Sequence, residues 1–500
     1  MGAAAGHINP AAREPSARRA RRARIGEVFG RTPGGIPLSD PCEMTAEALG
    51  AAFAARRLSP VEAARAAIAR IRRHDAGLNA FTLVDEEGAL AMARASERRH
   101  AEGRPLSAID GVPTTIKGLS PVRGWPNQRG SRLVDPVPST EESSPVVALR
   151  EAGAVFIGLT TTPEFGWKGL TDSPLTGITR NPWNTGRTPG GSSGGAAVAA
   201  ACGFGTLHQG SDGAGSVRIP AAFTGVFGIK ATFGRVPAYP ASPFRAVSHI
   251  GPLTRCVRDS ALMLNALQRP DPRDPSALPF DGRDWLDGIE GGVRGLRIGF
   301  SRALDGRARV HPEIAARVDA AVRTLAAIGA EVEEVEPGLP DHAEAMLAMW
   351  ASAAARLRRL LPRERLDRLD PGLVAMMEIG ERVSLDDWYA ADAVRMAMGR
   401  AMGAFHQRFD VLVTPMMPIP AFAAGQDLSE PGQRTWMDWS PFTYPFNMTG
   451  QPAASVPCGF SSDGLPVGLH VVGPMFGEAV VLRVARAYER AAPPVFPSLG

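Results

Sequence analysis

Two glycine-rich blocks restrict this chain more than anything else in it. Thr188-Pro189-Gly190-Gly191-Ser192-Ser193-Gly194-Gly195 runs straight into the alanine-rich stretch Ala196 to Ala201. Gly213-Ala214-Gly215-Ser216 follows the strand-like Thr206 to Gln209 and opens another turn or helix. Glycine costs backbone entropy, so a cluster of it marks a chain that must take positive φ or approach something closely. A glycine turn feeding a helix N-terminus, twice within one βα-rich stretch, can direct consecutive backbone N–H groups into one concavity.

The surrounding pattern is α/β. Ser59-Pro60-Val61-Glu62 has an N-cap serine, proline at the first helical position and glutamate at N3, which predicts a helix to about Arg73. A short strand over Leu78 to Val84, a helix over Glu86 to Glu102, a strand ending at Lys117, a helix over Pro145 to Ala152 and a buried strand over Ala154 to Leu159 follow. Strands at Leu296 to Phe300, Ala330 to Val335, Val411 to Val413, Ala453 to Pro457 and Val467 to Val472, with helices at His311 to Ile328 and Glu478 to Tyr488, continue the alternation. Neither an internal repeat nor a Pro/Ser-rich linker divides the chain. One domain over 41–500, with a variable helical insertion at about 341–404, is expected.

Chemistry enters with the lysines. Only Lys117, Lys168 and Lys230 are lysine, against 52 arginines. Arginine cannot be deprotonated in a protein, so a lysine kept in such a chain is a candidate base. Codon drift alone would also leave a few lysines, so position must decide. Ser216, at the end of the second glycine loop, would have its hydroxyl beside N–H donors suited to an oxyanion, and is the natural nucleophile. A serine needs a base, and none of the nine histidines lies in a triad motif or in metal-ligand spacing. Lysine is then the candidate base, and holding one neutral near pH 7 costs on the order of 4.6 kcal/mol. A buried strand end, where Lys117 falls, can supply that. Lys230 is expected to brace the core, Lys168 to be exposed or on a pocket rim, and Glu164 and Asp172 to be hydrogen-bonding or solvated carboxylates.

Gly190-Gly191-Ser192-Ser193-Gly194-Gly195 and Gly215-Ser216-Val217-Arg218-Ile219-Pro220-Ala221-Ala222 resemble the two blocks of the amidase signature enzymes. The intervals match as well, with Lys117 75 residues before Ser192 and Ser192 24 before Ser216. The resemblance extends from about Thr45 through Lys230 and resumes at Phe409 to Pro415 and Gly464 to Gly468. It implies a single large domain with a mixed central β-sheet flanked by helices. It also implies a nucleophile Ser216, a bridging Ser192 after a cis peptide and Lys117 as ultimate base. Backbone N–H groups of Gly213, Ala214, Gly215 and Ser216 would form the oxyanion hole, with Ser193, Asp212 and Arg218 supporting the loop. Ser211, Ala214 and Gly118 stand where the family more often has Thr, Gly and Asp, and none of these changes removes a triad member.

The implied activity is hydrolysis of a carbon–nitrogen amide-like bond. By the same likeness Gly166, Trp167 and the turn around Trp125 would line the pocket. The helical insertion and its sequel would add Trp350, Met376, Met377, Trp388, Tyr389, Trp436, Trp439, Phe442 and Tyr444. Aromatic and methionine side chains in a cleft favour aryl or medium-chain amides, or carbamates and esters. The bland reading, that these residues are core, weighs equally. The alternative is a glutamine-splitting subunit of a tRNA-dependent amidotransferase complex.

Several classes are excluded. Gly190 to Gly195 satisfies G-x-S-x-G, but a nucleophile elbow needs a strand directly before it and Trp183 to Pro189 reads as loop. Neither glycine block is followed by Gly-Lys-Ser/Thr, against phosphate cradling. Cys42, Cys202, Cys256 and Cys458 are scattered without a CxxC pair, so no zinc knuckle or disulfide framework is expected and a cytoplasmic location fits. No apolar run approaches a membrane span. The arginine-rich first forty residues read as a disordered basic tail without an export h-region or a nucleic-acid motif. Neither metal nor cofactor is expected, the partner being a small-molecule substrate rather than nucleic acid or membrane, with a homodimer left open.

Overall fold

Eleven strands gather into one sheet in the computed structural model, which describes residues 40–499. The expected basic tail lies, Asp40 apart, outside the described residues. In chain order the strands are β1 (Phe81–Val84), β2 (Pro113–Lys117), β3 (Val155–Thr160), β4 (Leu207–Asp212), β5 (Phe227–Lys230) and β6 (His249–Thr254), then β7 (Arg297–Phe300), β8 (Glu331–Glu334), β9 (Val411–Pro415), β10 (Ala453–Phe460) and β11 (Pro466–Val472). They lie side by side as β1-β3-β2-β4-β6-β5-β10-β11-β9-β7-β8.

The sheet is mixed. One parallel wing is built from β3, β2 and β4, another from β8, β7 and β9, and antiparallel pairs join them through the middle. Helices cover both faces, so β2, β3, β9 and β11 are buried along their whole length. A charged side chain at the end of such a strand has no route to water, which is the situation of Lys117.

Local chemistry explains the helices. Ser59 accepts from Glu62 N while Glu62 reaches back to Ser59 N, and the Pro60–His74 helix begins there. The Gly194–Cys202 helix is made wholly of small residues and is buried on all sides. Its first turn passes so close to its neighbours that a Cβ on Gly195 would lie 2.4 Å from Thr161 Oγ1 and 2.6 Å from the Ala80 carbonyl oxygen. Strands β5 and β6 escape the sequence pattern because glycines interrupt their hydrophobic period. A Cβ on Gly251 would sit 2.0 Å from the Ile229 oxygen, so glycine is what lets these two strands meet.

The stretch read as helical over 341–404 contains three α-helices, Ala343–Arg358, Pro371–Glu381 and Leu385–Phe405. Its inward residues Met346, Trp350, Leu373, Met377, Met398 and Met402 are buried in a second apolar cluster with Trp436 and Trp439. Among the described residues no helix is long and apolar enough to cross a membrane.

Candidate active site

Lys117 closes β2 with none of its surface exposed, and its backbone N–H is fixed by Gln209 Oε1 at 3.0 Å. Its Nζ lies 2.7 Å from Ser192 Oγ, 2.8 Å from Ser193 Oγ and 3.0 Å from Ser211 Oγ. Burial pushes the ammonium well below the usual lysine range, with only the charge of Asp212 acting the other way. Three hydroxyls lie within hydrogen-bonding distance of one buried amine, an arrangement chemically able to pass a proton, and neither of the other two lysines has such neighbours.

The first glycine block delivers two of those hydroxyls. The Gly191–Ser192 peptide is cis. A Cβ on Gly191 would sit 2.0 Å from the Leu170 carbonyl oxygen, so only glycine permits this path. Ser193 Oγ donates to the Ser211 carbonyl at 3.0 Å and its N–H to the Ser216 carbonyl at 3.1 Å, which ties the two blocks together. Ser192 and Ser216 line the same cavity.

The second block is shaped by Asp212 and Arg218, both fully buried. Asp212 accepts from Gly215 N at 2.7 Å, from Arg218 Nε at 2.9 Å and from Arg218 Nη2 at 3.0 Å. Arg218 also donates to the Thr443 carbonyl at 3.0 Å and to Asn447 Oδ1 at 2.6 Å. Burial alone would raise the Asp212 carboxyl, but the adjoining guanidinium and the Asn447 amide hold it far below the carboxylate range. The loop is therefore pinned from behind by the buried Asp212–Arg218 ion pair.

That pinning corrects one expectation. The Gly215 N–H is spent on Asp212 and is not available to a ligand, whereas Gly213, Ala214 and Ser216 have no acceptor for their N–H groups among the described residues. Gly215 has a different duty: its φ is +119° and a Cβ would lie 2.6 Å from Thr443 Cβ. Ala214, in place of a glycine, is accommodated because its φ is not positive and its methyl packs in the apolar cluster.

The cleft in front of Ser216 differs from the expected lining. Gly166 and Trp350 line it, as expected. Trp167 does not: its ring packs against Gly372, and its carbonyl accepts from Trp350 Nε1 at 2.9 Å, so it holds the wall from outside. Trp125, Met376, Met377, Trp436, Trp439, Phe442 and Tyr444 are core residues, while Trp388 and Tyr389 face outward at 36% and 63% exposure. The remaining apolar wall comes from Leu119, Phe165, Phe244, Ile250 and Leu357, with the turn from Ala238 to Pro243 around a cis Tyr239–Pro240 bond. Phe244 stacks on Trp350 at 3.7 Å between ring centroids. No motif marks Phe244 in the sequence, because its partner lies 106 positions away.

The other lysines are buried too. Lys168, expected on the surface or a rim, is 2% exposed and paired with Asp172 at 2.8 Å, Asp370 at 3.0 Å and Asp427 at 2.6 Å. Despite burial, those carboxylates raise it above the usual lysine range, which leaves it no use as a base. Glu164 is buried and accepts from Asp370 N at 2.5 Å. Lys230 braces the core by donating to the Gln451 carbonyl.

A family model described as Amidase matches residues 62–482. An acylamidase of Rhodococcus erythropolis is 37% identical over 458 residues, which cover 90% of this chain and 96% of that protein. A glutamyl-tRNA(Gln) amidotransferase subunit of Myxococcus xanthus is 36% identical over 485 residues, covering 90% and 97%. The crystal structure of a bacterial aryl acylamidase of the amidase signature family is similar with a TM-score of 0.84 at 31% identity, covering 90% of this chain and 96% of that one.

Proposed function

The chain belongs to the amidase signature family of amide-hydrolysing enzymes, and on that premise we propose that it cleaves aryl or medium-chain amides through an acyl-enzyme on Ser216. The observation that carries this reading is the buried Lys117 amine ringed by Ser192, Ser193 and Ser211. A neutral amine has two N–H donors and one lone pair. Donation to the Ser193 and Ser211 oxygens leaves the lone pair for the proton of Ser192.

The proton path then balances. As Ser216 Oγ attacks the carbonyl carbon, its proton passes to Ser192 Oγ and the Ser192 proton passes to Lys117 Nζ. The oxyanion is held by the free N–H groups of Gly213, Ala214 and Ser216. Return of the proton along the same path to the amide nitrogen breaks the C–N bond and releases the amine. Water then attacks the Ser216 ester, giving up its proton to Lys117 through Ser192, and the acid leaves as Ser216 regains its own. Asp212 and Arg218 keep the loop in shape throughout.

The apolar wall around Phe165, Phe244, Trp350 and Leu357 supports an aryl or alkyl substrate. Carbamates and esters of the same shape are further candidates. Glutamine hydrolysis within an amidotransferase complex is the alternative, favoured by the Myxococcus xanthus relative. Against it, no carboxylate among the described residues lines the cleft to meet the α-ammonium of glutamine. Fluorophosphonate treatment followed by mass spectrometry should find the adduct on the Ser216 peptide, and aryl anilides should be cleaved. Labelling that survives Ser216→Ala, or ammonia release from glutamine exceeding anilide cleavage, would overturn the proposal.

A further inference from the structure

Among the described residues Arg129 is the only charged one lining the Ser216 cleft. Among the same residues it is also the only charged one lining a second, more polar cavity of about 300 Å³, bounded by Asn79, Thr82, Gln128, Thr162 and Thr176. One guanidinium therefore stands at the junction of an apolar and a polar cavity. Among the described residues it has no carboxylate within 4.0 Å and no hydrogen-bond partner. The charge that influences it most, on Glu141, lies beyond ion-pair range, and Glu141 itself accepts from the Tyr239 hydroxyl at 3.3 Å.

The backbone holds this cation in place at a cost. Arg129 has φ +53° and Gly130 has φ +72°, and a second left-handed pair, Phe165 at +52° and Gly166 at +74°, faces it. The two pairs are joined by Phe165 N donating to the Arg129 carbonyl at 2.8 Å. A Cβ on Gly166 would lie 3.3 Å from Ser192 Oγ, so Arg129 is registered to the reacting groups through one hydrogen bond. A left-handed arginine is strained where glycine or asparagine would be at ease. Strain of this kind persists where surrounding structure over-determines it, and here it keeps an unpaired cation at the mouth of a reactive cleft.

We propose that Arg129 is a specificity-determining residue that recognises a carboxylate on the leaving amine, so that the substrates are apolar N-acyl derivatives of amino-carboxylates. The inference rests on the reading of Ser216 as nucleophile. After acylation the acyl group stays bonded to Ser216, which suits the apolar wall, while the amine must depart through the mouth. Arg129 is exposed while Phe165, Phe244, Trp350 and Leu357 of the same lining are buried, so the cation stands on the solvent side of the cleft and its partner belongs to the half that leaves. A guanidinium facing a carboxylate forms charge-assisted hydrogen bonds that a neutral analogue cannot replace.

Three matched anilides test this: octanoyl anilide, the octanoyl amide of 4-aminobenzoate, and suberanilic acid, whose carboxylate ends the acyl chain. The expected order of kcat/KM is 4-aminobenzoate amide, neutral anilide, suberanilic acid, with the first two separated by about 10-fold. Arg129→Asn suits the left-handed backbone and removes the charge. It should lower kcat/KM for the 4-aminobenzoate amide by about 10-fold while the neutral anilide changes by less than about 2-fold, and Arg129→Lys should recover part of the loss. Equal use of the first two substrates by the wild type, preference for suberanilic acid, or an equal loss on both in Arg129→Asn would overturn the assignment. Calorimetric binding of the same uncleaved amides to Ser216→Ala separates the two readings. A Kd ratio of about 10 there, with no turnover by the wild type, would sink the nucleophile and keep Arg129, whereas equal Kd values would sink Arg129.

Discussion

Replacing Asp212 by asparagine removes a negative charge from a site that protein surrounds completely. The carboxylate meets only donors: Gly215 N at 2.7 Å, Arg218 Nε at 2.9 Å, Arg218 Nη2 at 3.0 Å and Asn447 Nδ2 at 2.9 Å. Whichever way an asparagine amide is turned, its NH2 faces a donor, and Arg218 becomes a buried cation without a counter-charge. Breaking a buried pair by removing one partner costs about 3–5 kcal/mol, and neither side chain is exposed enough for solvent to discount that figure.

Equilibrium denaturation of wild type and Asp212→Asn should therefore differ by about 4 kcal/mol. Because the folded state holds the Asp212 carboxyl below its ordinary range, its contribution is present above the unfolded carboxylate pKa and is lost only as pH falls through the folded value. The gap should thus be constant from about pH 5 to 8 and close only in strong acid. Asp212 also opposes the downward push on Lys117, so its removal should move the acid limb of kcat/KM to lower pH. A stability loss under about 1 kcal/mol, or an acid limb that moves upward, would refute the argument that this pair shapes the loop and the base.

Further outcomes follow from the same geometry. Lys117→Arg cannot offer a lone pair and should lose about 10³-fold or more in kcat/KM with its circular dichroism intact; near-native turnover would make the lysine merely structural. Gly191→Ala places a methyl 2.0 Å from the Leu170 oxygen and should cost about 3 kcal/mol or more in denaturation together with loss of Ser216 labelling. Trp350→Ala removes the ring under Phe244 and should raise KM for aryl amides about 10-fold with a smaller change for acetamide, read from initial rates.

How far the sequence could be read depended on whether a residue's role is local. Ser59, Pro60 and Glu62 determine a helix start within four positions, and the Pro60–His74 helix follows. Lys117 was legible because lysine scarcity is a property of the chain itself, whereas Ser192 and Ser193 were singled out by the resemblance of their glycine block to the amidase signature; the fold brings all three to hydrogen-bonding distance. Aromatic residues in and after the helical stretch were not separable into wall and core, since that depends on which side of each helix meets the cleft. Trp350 lines it, while Met376 and Met377, equally apolar and on the next helix, are buried elsewhere. Lys168 was misplaced because two of its three carboxylate partners, Asp370 and Asp427, are 202 and 259 residues distant along the chain. The occupied N–H of Gly215 likewise depends on the side chain of Asp212 turning back over its own loop.

All three lysines are interior, at 0%, 2% and 0% exposure. The ε-amino groups that amine-directed reagents use for labelling, immobilisation and cross-linking are therefore hidden in the native protein. Activated esters and aldehydes should leave those three sites untouched until the chain opens. Covalent tagging of Lys117, Lys168 or Lys230 then becomes a mass-spectrometric clock of unfolding, and attachment of the intact enzyme to a support cannot use its lysines.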